Sequence, residues 1–282
     1  MPIFFEPWLL YKQPIVRQLA FTIASPNILQ NIPDELDLRH TFELHQPDFW
    51  STQYLRYQPR LKQLDENPQA LIDFISRLKS TRLGLRFEHL MWFWLCDAEY
   101  HDYELLGHSI QIIDGRNTLG ELDFLLFNKN TQSIEHWEVA LKFYLAEANF
   151  SLEHWYGLNR SDTLQRKLHH FSHKQFQFEQ AKGYSIQQRF VVLKGQLYTP
   201  HLKTNETTPF WLNSTRRLGT WGYTLFDKDY YRLQRQEWIC HDLALSSDEA
   251  KWWTNGLYRH IDQERYYMFR QAPTLCTNVK YM

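Results

Sequence analysis

The sequence predicts an α/β fold in which helices flank a mixed β-sheet. Three observations support this class: helical patterns before residue 100, three consecutive strand patterns between residues 103 and 145, and a helical segment followed by a further apolar strand up to residue 198. An antiparallel meander, a crossover helix and a returning strand form an α/β sandwich around such a sheet. No internal repeat and no clear linker interrupts the 282 residues, so one domain is expected.

Helices are expected in most of the first 100 residues. Pro14 to Ala24 reads as a helix, because proline suits the first helical position and Ser25-Pro26 ends the pattern. Asp48 to Leu64 is weakly helical, and Asn67 is expected to cap a helix that runs to about Lys79. A longer helix, from about Arg82 to Ala98, has apolar residues at helical spacing. These are Leu83, Phe87, Leu90, Met91, Trp94 and Leu95.

The middle of the chain predicts three strands. Tyr103 to Asp114 is the first, and Asp114-Gly115 reads as a tight turn. Leu119 to Phe127 is the second, and His136 to Leu145 is the third. The third strand alternates strictly, so its side chains are expected to divide between two faces. One face would carry Trp137, Val139, Leu141 and Phe143, and the other would carry Glu138, Ala140, Lys142 and Tyr144.

Five further segments are predicted beyond residue 160. A polar helix is expected from Ser161 or Asp162 to about Lys182, where Gly183 would end it. The others are an apolar strand over Arg189 to Tyr198 broken at Gly195, a loop over 200–218, a strand over Thr220 to Phe226, and a helix from Ser246 or Ser247 to about Gln263.

Composition limits the classes of function and compartment. The formal net charge is −1, so contact with nucleic acid would depend on a local basic surface. Cys96, Cys240 and Cys276 are too few and too scattered for a disulfide framework or a zinc knuckle. The N-terminus lacks a signal-peptide pattern, and no apolar run approaches the roughly 20 residues of a membrane span. We therefore expect a cytoplasmic protein without a membrane partner, of undetermined oligomeric state.

The most informative feature is a pair of acids in apolar strands. Asp123 stands among leucine and phenylalanine in the second strand, and Glu138 shares a face with Lys142 in the third. Such groups cost stability in a partly buried site unless something binds them. A divalent metal ion and a phosphate group would bind two acids and a lysine, which is the logic of a metal-dependent nuclease.

The order of elements and these acids resemble the PD-(D/E)XK nuclease superfamily, in which a helix supplies a Glu, a second strand an Asp and a third strand a Glu-x-Lys motif. Five segments are more closely similar to a bacterial family called domain of unknown function 1853, from about Pro14 to Trp221. They are VRQLAFTIASP, LGLRFEHLMWFWL, TLGELDFLL, HWEVALKFYL and GLNRSDTLQRKL.

The resemblance implies a restriction-endonuclease-like fold with an N-terminal helical extension. Residues 1–80 would form a helical region, 81–200 the nuclease-like core and 201–282 a C-terminal extension of a single domain. It also implies a catalytic group of Asp123, Glu138, Lys142 and Glu88, the three acids being ligands of Mg²⁺ or Mn²⁺. The expected activity is hydrolysis of phosphodiester bonds in DNA or RNA. The helix after Ser161 would contact phosphates through Arg160, Arg166, Lys167 and Lys174.

The position of the lysine departs from the superfamily motif. Ala140 stands two residues after Glu138, where the motif places lysine, and Lys142 lies about 13 Å along the strand from Glu138. Two sources of the cation stay open: Lys142 reaching back along its strand, or Lys167 on the following helix. Without either, the site would be inactive.

Other interpretations stay open as well. Glu121 shares a face with Asp123, so a role as a further ligand stays open, although a supporting or surface role is expected. His169 and His173 have a spacing known for zinc ligands, but the glutamate of the zinc-protease motif is missing, which favours a solvated or phosphate-facing helix. The alternatives to a nuclease are a catalytically inactive module of the same fold that binds nucleic acid or protein, and a different hydrolase on the same metal site.

Overall fold

The computed structural model describes residues 4–147, 149–202 and 206–272, which form five α-helices and eleven strands. The helices are α1 (Pro14–Ala24), α2 (Phe49–Glu66), α3 (Gln69–Ser76), α4 (Leu83–Cys96) and α5 (Leu164–His173). The strands are β1 (Tyr103–Asp114), β2 (Asn117–Asn128), β3 (Ser133–Ala146), β4 (Trp155–Tyr156), β5 (Gln180–Ala181), β6 (Tyr184–Ser185), β7 (Gln188–Pro200), β8 (Gly219–Gly222), β9 (Tyr230–Arg232), β10 (Gly256–His260) and β11 (Tyr266–Phe269).

The fold is α/β, with one large mixed sheet flanked by helices. Its strands follow the order β1-β2-β3-β7-β8-β11-β10-β9, and β4 pairs with the end of β3. β1, β2 and β3 form an antiparallel meander, and β7 returns parallel to β3 after α5. The predicted meander, crossover helix and returning strand are therefore confirmed. The small hairpin of β5 and β6 lies apart from this sheet.

Helices cover both faces of the central strand β3. Trp137, Val139, Leu141 and Phe143 pack in one core with residues of α1, α2 and α4. Ala140 and Tyr144 pack in a second core with Leu164, Leu168 and Phe171 of α5. The predicted alternation along β3 is confirmed, and it brings α5 to the face that carries Glu138 and Lys142.

Two predicted helices are wrong in extent or in kind. The helix after Ser161 ends at His173 instead of continuing to Lys182. Lys182 and Gly183 both have positive φ (51° and 82°) and form the two-residue turn between β5 and β6. The C-terminal helix predicted over 246–263 is absent, and β10 lies there instead. Leu257 and Tyr258 of β10 are buried, and the strand pairs with β11 on one side and β9 on the other. This pairing overrides a weak helical pattern.

Gly195 continues strand β7 instead of breaking it. It pairs with Lys142 of β3 and has φ +131°. A Cβ atom at this position would lie 1.9 Å from the carbonyl oxygen of Lys142. Glycine therefore allows the two backbones to approach closely here.

Two further observations concern the cysteines and the apolar character of the helices. Cys96 and Cys240 are free thiols, and Cys276 lies outside the described residues. In the described part of the chain, none of the helices combines the length and the apolar character needed to cross a membrane.

Candidate functional site

Asp123 and Glu138 meet where strands β2 and β3 separate. The two strands are paired as far as Phe124 and Trp137, and one further step in this register places Asp123 opposite Glu138. At this step, the Val139 amide donates to Asp123 Oδ2 (2.8 Å), and the Asp123 amide donates to Glu138 Oε1 (3.3 Å). Each carboxylate thus takes the place of a backbone acceptor in the ladder. We call this point the carboxylate fork, defined by Asp123 and Glu138.

Both acids of the fork have raised pKa values. Glu138 is only 1% exposed, and burial raises its pKa to about 7 even though Gln175 and Lys167 favour its charged form. Burial and the neighbouring Glu138 raise the pKa of Asp123 well above its usual range. The fork is therefore a place where two negative charges are costly unless a cation joins them.

Hydrogen bonds hold Glu138 in one orientation and leave part of Asp123 open. His136 Nε2 lies 2.7 Å from Glu138 Oε1, and Gln175 Nε2 donates to Glu138 Oε2 (2.6 Å). Burial lowers the pKa of His136 to about 3, so this imidazole is neutral and donates its Nε2 proton. Among the described residues, none donates to Asp123 Oδ1. That oxygen is the one available to a ligand.

Glu88 approaches the fork from helix α4. Its Oε1 atom lies 2.8 Å from His108 Nε2 and accepts a hydrogen bond from Ser109 Oγ (3.3 Å). The side chain is close enough that its charge raises the pKa of Asp123 and Glu138. Glu88 therefore lies in the electrostatic neighbourhood of the fork, while its own carboxylate is bound to His108 and Ser109.

The two candidate lysines have different partners. Lys142 Nζ forms an ion pair with Asp162 (2.6 Å) at the start of the crossover segment. Burial lowers the pKa of Lys167 on α5, and the negative charges of Glu138 and Asp123 oppose this decrease. Lys167 is thus near enough for its charge to act on both acids of the fork, but its ammonium lies over the ring of Phe171 (3.9 Å to the centroid), and among the described residues no ion pair joins it to either acid. Lys142 is directed to Asp162.

The remaining basic residues predicted to contact phosphates are all exposed but have different partners. Arg160 is paired with Glu147 (3.0 Å) and lies over the ring of Tyr156. Arg166 donates to the carbonyl oxygen of Ser161 (2.6 Å). Lys174, just after α5, is exposed.

The structure adds four residues to the site that the sequence analysis did not select. They are His108, Ser109, His136 and Gln175. His136 stands two residues before Glu138 on the same strand face, which is a local signal that could have been used. Gln175 gives no such signal, because it reaches Glu138 only after α5 has ended. Glu121, the expected supporting acid, is half-buried, and its carbonyl oxygen accepts a hydrogen bond from Gln175 (3.4 Å).

The fold and the carboxylate fork can be compared with known proteins. Neither the curated proteins nor the solved structures include a match to this chain. The model of one protein family, the domain of unknown function DUF1853, matches residues 17–274, which is most of the chain. The chain therefore belongs to the DUF1853 family.

Proposed function

We propose that this protein is a metal-dependent nuclease of the PD-(D/E)XK type, with a restriction-endonuclease-like core, that hydrolyses phosphodiester bonds of DNA or RNA. One observation carries the proposal: the buried carboxylate of Glu138 and the half-buried carboxylate of Asp123 lie opposite each other at the point where β2 and β3 separate, both with raised pKa values. Carboxylates that must ionise side by side favour a bound cation. Perturbed pKa values of this kind are concentrated at functional sites.

The donor atoms at the fork suit Mg²⁺ or Mn²⁺. Asp123 through its open Oδ1, Glu138 and Glu88 would hold the ion, because hard divalent cations prefer carboxylate oxygens. When bound, the metal ion would polarise the phosphate and lower the pKa of an attacking water. The side chains around the fork would position the phosphate group and the water beside the ion.

Residues around the fork have supporting roles in this proposal. His136 and Gln175 fix both oxygens of Glu138, so this side chain loses little conformational entropy when it binds a ligand. Lys167 would stabilise the negative charge that grows on the phosphate. Arg166 on α5 and Lys174 directly after it would bind flanking phosphates.

The test is cleavage of single- and double-stranded DNA and RNA with Mg²⁺ or Mn²⁺. Asp123→Asn should reduce cleavage more than about 100-fold, which exceeds the usual effect of a residue that merely supports a metal ligand. Glu104→Gln, at an exposed position of the neighbouring strand β1, is the control and should cleave as wild type does. Mg²⁺ should also raise the melting temperature of wild type and not that of Asp123→Asn.

Two outcomes would overturn the nuclease proposal. Equal cleavage by wild type and Asp123→Asn would place any activity elsewhere. If wild type cleaves none of these substrates with either metal but binds them in a saturable way, the protein is an inactive module of the nuclease fold.

A further inference from the structure

A second cluster of possible ligands lies on the outer side of helix α5. Asp37, His169 and His173 each offer one ligand atom, and the three atoms all lie within 4.8 Å of one another. The two histidines stand four residues apart on α5, so they occupy one face of the helix. Their rings stack with centroids 3.6 Å apart and an angle of 8° between their planes, so one ring must turn out of the stack before both can direct an in-plane lone pair at one ion.

The orientation of His173 indicates what the cluster binds. His173 Nδ1 lies 3.2 Å from the carbonyl oxygen of His169, which can only accept, so Nδ1 carries the proton of the neutral ring. The lone pair is then on Nε2, which faces Asp37 Oδ2 at 3.6 Å. Two acceptor atoms that face each other in this way suit a cation between them. In a tetrahedral zinc site with bonds of about 2.1 Å, two ligand atoms lie about 3.4 Å apart, close to this separation.

The loop that carries Asp37 is fastened to the same helix. Ser172 Oγ accepts hydrogen bonds from the amides of Arg39 (2.8 Å) and His40 (3.1 Å) and donates to the carbonyl oxygen of His40 (3.0 Å). Leu36 is buried in the core that includes α5. The approach of Asp37 to the histidines is therefore set by buried contacts on both sides of it, not by the contact of its exposed carboxylate with His173 alone.

We propose that Asp37, His169 and His173 form a binding site for a transition-metal ion of the zinc class. Two imidazoles and a carboxylate favour Zn²⁺, Co²⁺, Ni²⁺ or Cu²⁺ over Mg²⁺, which prefers an all-oxygen set. Three protein ligands leave a fourth position, which opens into a surface cavity of about 530 Å³ that Arg166 and Lys174 also line. The bound ion would fasten the loop of Asp37 to α5, the helix that brings Lys167 to the carboxylate fork.

The site is tested by calorimetric titration of the metal-free full chain with Zn²⁺. All proteins carry Asp123→Asn, so that the carboxylate fork contributes little to binding. We expect one Zn²⁺ per chain, with affinity at least tenfold weaker after His169→Ala or Asp37→Asn. The matched controls are His170→Ala on the same helix and Asp34→Asn in the same loop, and both should bind as the parent does.

Each result decides the proposal without reference to nuclease activity. Co²⁺ should give the visible absorption of a four-coordinate site in the parent, and this absorption should be lost in His169→Ala. Unchanged Zn²⁺ affinity in both His169→Ala and Asp37→Asn would overturn the site. An equal loss in the two control variants would also overturn it, because binding would then lie elsewhere on this surface. Asp37 is exposed, so its substitution leaves the fold intact and keeps the test decisive.

Discussion

Two regions of this protein bury carboxylates and solve the electrostatic problem in opposite ways. Near the C-terminal strands, Glu6 lies 3.2 Å from Arg216 and 2.8 Å from Arg217. In the same region, burial alone would raise the pKa of Glu264, but its contacts with Arg259 lower it overall. At the carboxylate fork, the acids face each other and their pKa values rise.

This difference in how the acids are paired indicates which region stabilises the fold and which region is suited to a ligand. An acid matched with a guanidinium group is stable in its charged form without any ligand. Two opposed acids reduce the stability of the metal-free chain at neutral pH, and the surrounding structure has to compensate for them. We infer that the arginine-rich network has a structural role and that the carboxylate fork is shaped for a ligand.

The largest expected effect on stability separates the two regions directly. Glu6→Gln should lower the free energy of unfolding by about 3 kcal/mol, because it leaves two arginines without their buried counter-charge. Glu138→Gln should leave the free energy of unfolding of the metal-free protein unchanged or raise it at pH 8. Urea denaturation measures both, with the exposed Glu66→Gln as control. A loss of stability in Glu138→Gln as large as that in Glu6→Gln would remove the distinction.

The next effect is a dependence on pH of opposite sign in the two regions. Glu138 has a folded pKa of about 7 against an ordinary value of 4.5, so the folded state binds more protons between these values. Metal-free wild type should therefore lose stability relative to Glu138→Gln as pH rises from about 4.5 to 8, by on the order of 3 kcal/mol. His136 titrates in both proteins, so its contribution largely cancels in the comparison.

Glu264 provides the opposite case for the same measurement. Its folded pKa is lowered, so the stability it contributes is present above its ordinary pKa and is lost as pH falls through the folded value. Wild type should therefore lose stability relative to Glu264→Gln on acidification. If the two differences changed in the same direction with pH, the electrostatic contrast between the regions would be wrong.

The smallest of these effects identifies the cation at the carboxylate fork. Lys167→Met should reduce Mg²⁺-dependent cleavage by about 100-fold, because it removes a positive charge beside Glu138 and Asp123. Lys142→Met should change the rate by less than about threefold, since that lysine is paired with Asp162. Single-turnover rates at saturating Mg²⁺ measure both. A larger loss in Lys142→Met would assign the role to Lys142.

Much of the core and the acids of the site could be predicted from the sequence. The bounds of α1 and β1 agree with the prediction to the residue, since a helix begun by proline and a strand closed by Asp114-Gly115 have local signals. The predicted apolar stripe of α4 is buried throughout. Asp123 and Glu138 could be selected because each interrupts an apolar strand pattern, and a local exception of this kind is visible without a structure.

The errors have a common physical cause in contacts between distant parts of the chain. The predicted helix after Ser161 is too long, because the polar residues up to Lys182 suit a helix as well as the hairpin of β5 and β6. The hairpin is favoured by a distant contact, since Ala181 packs with Leu122 and Leu125 of β2. The strand β10 was predicted as a helix, because its pairing partners lie in other segments of the sequence. A helix signal repeats along one segment, whereas the pairing of β10 with β9 and β11 on its two sides leaves no such repeat.

The sequence by itself determined the alternating strand β3, the helix that packs on it, and the presence of acids that need a partner. Tertiary structure alone decided that Lys142 pairs with Asp162, that Gln175 and His136 hold Glu138, and that Asp37 lies beside His173. The reason is physical. Periodicity and turn chemistry act over a few residues, whereas the pKa of a buried acid and the convergence of ligands depend on groups that only the folded chain brings within a few ångströms.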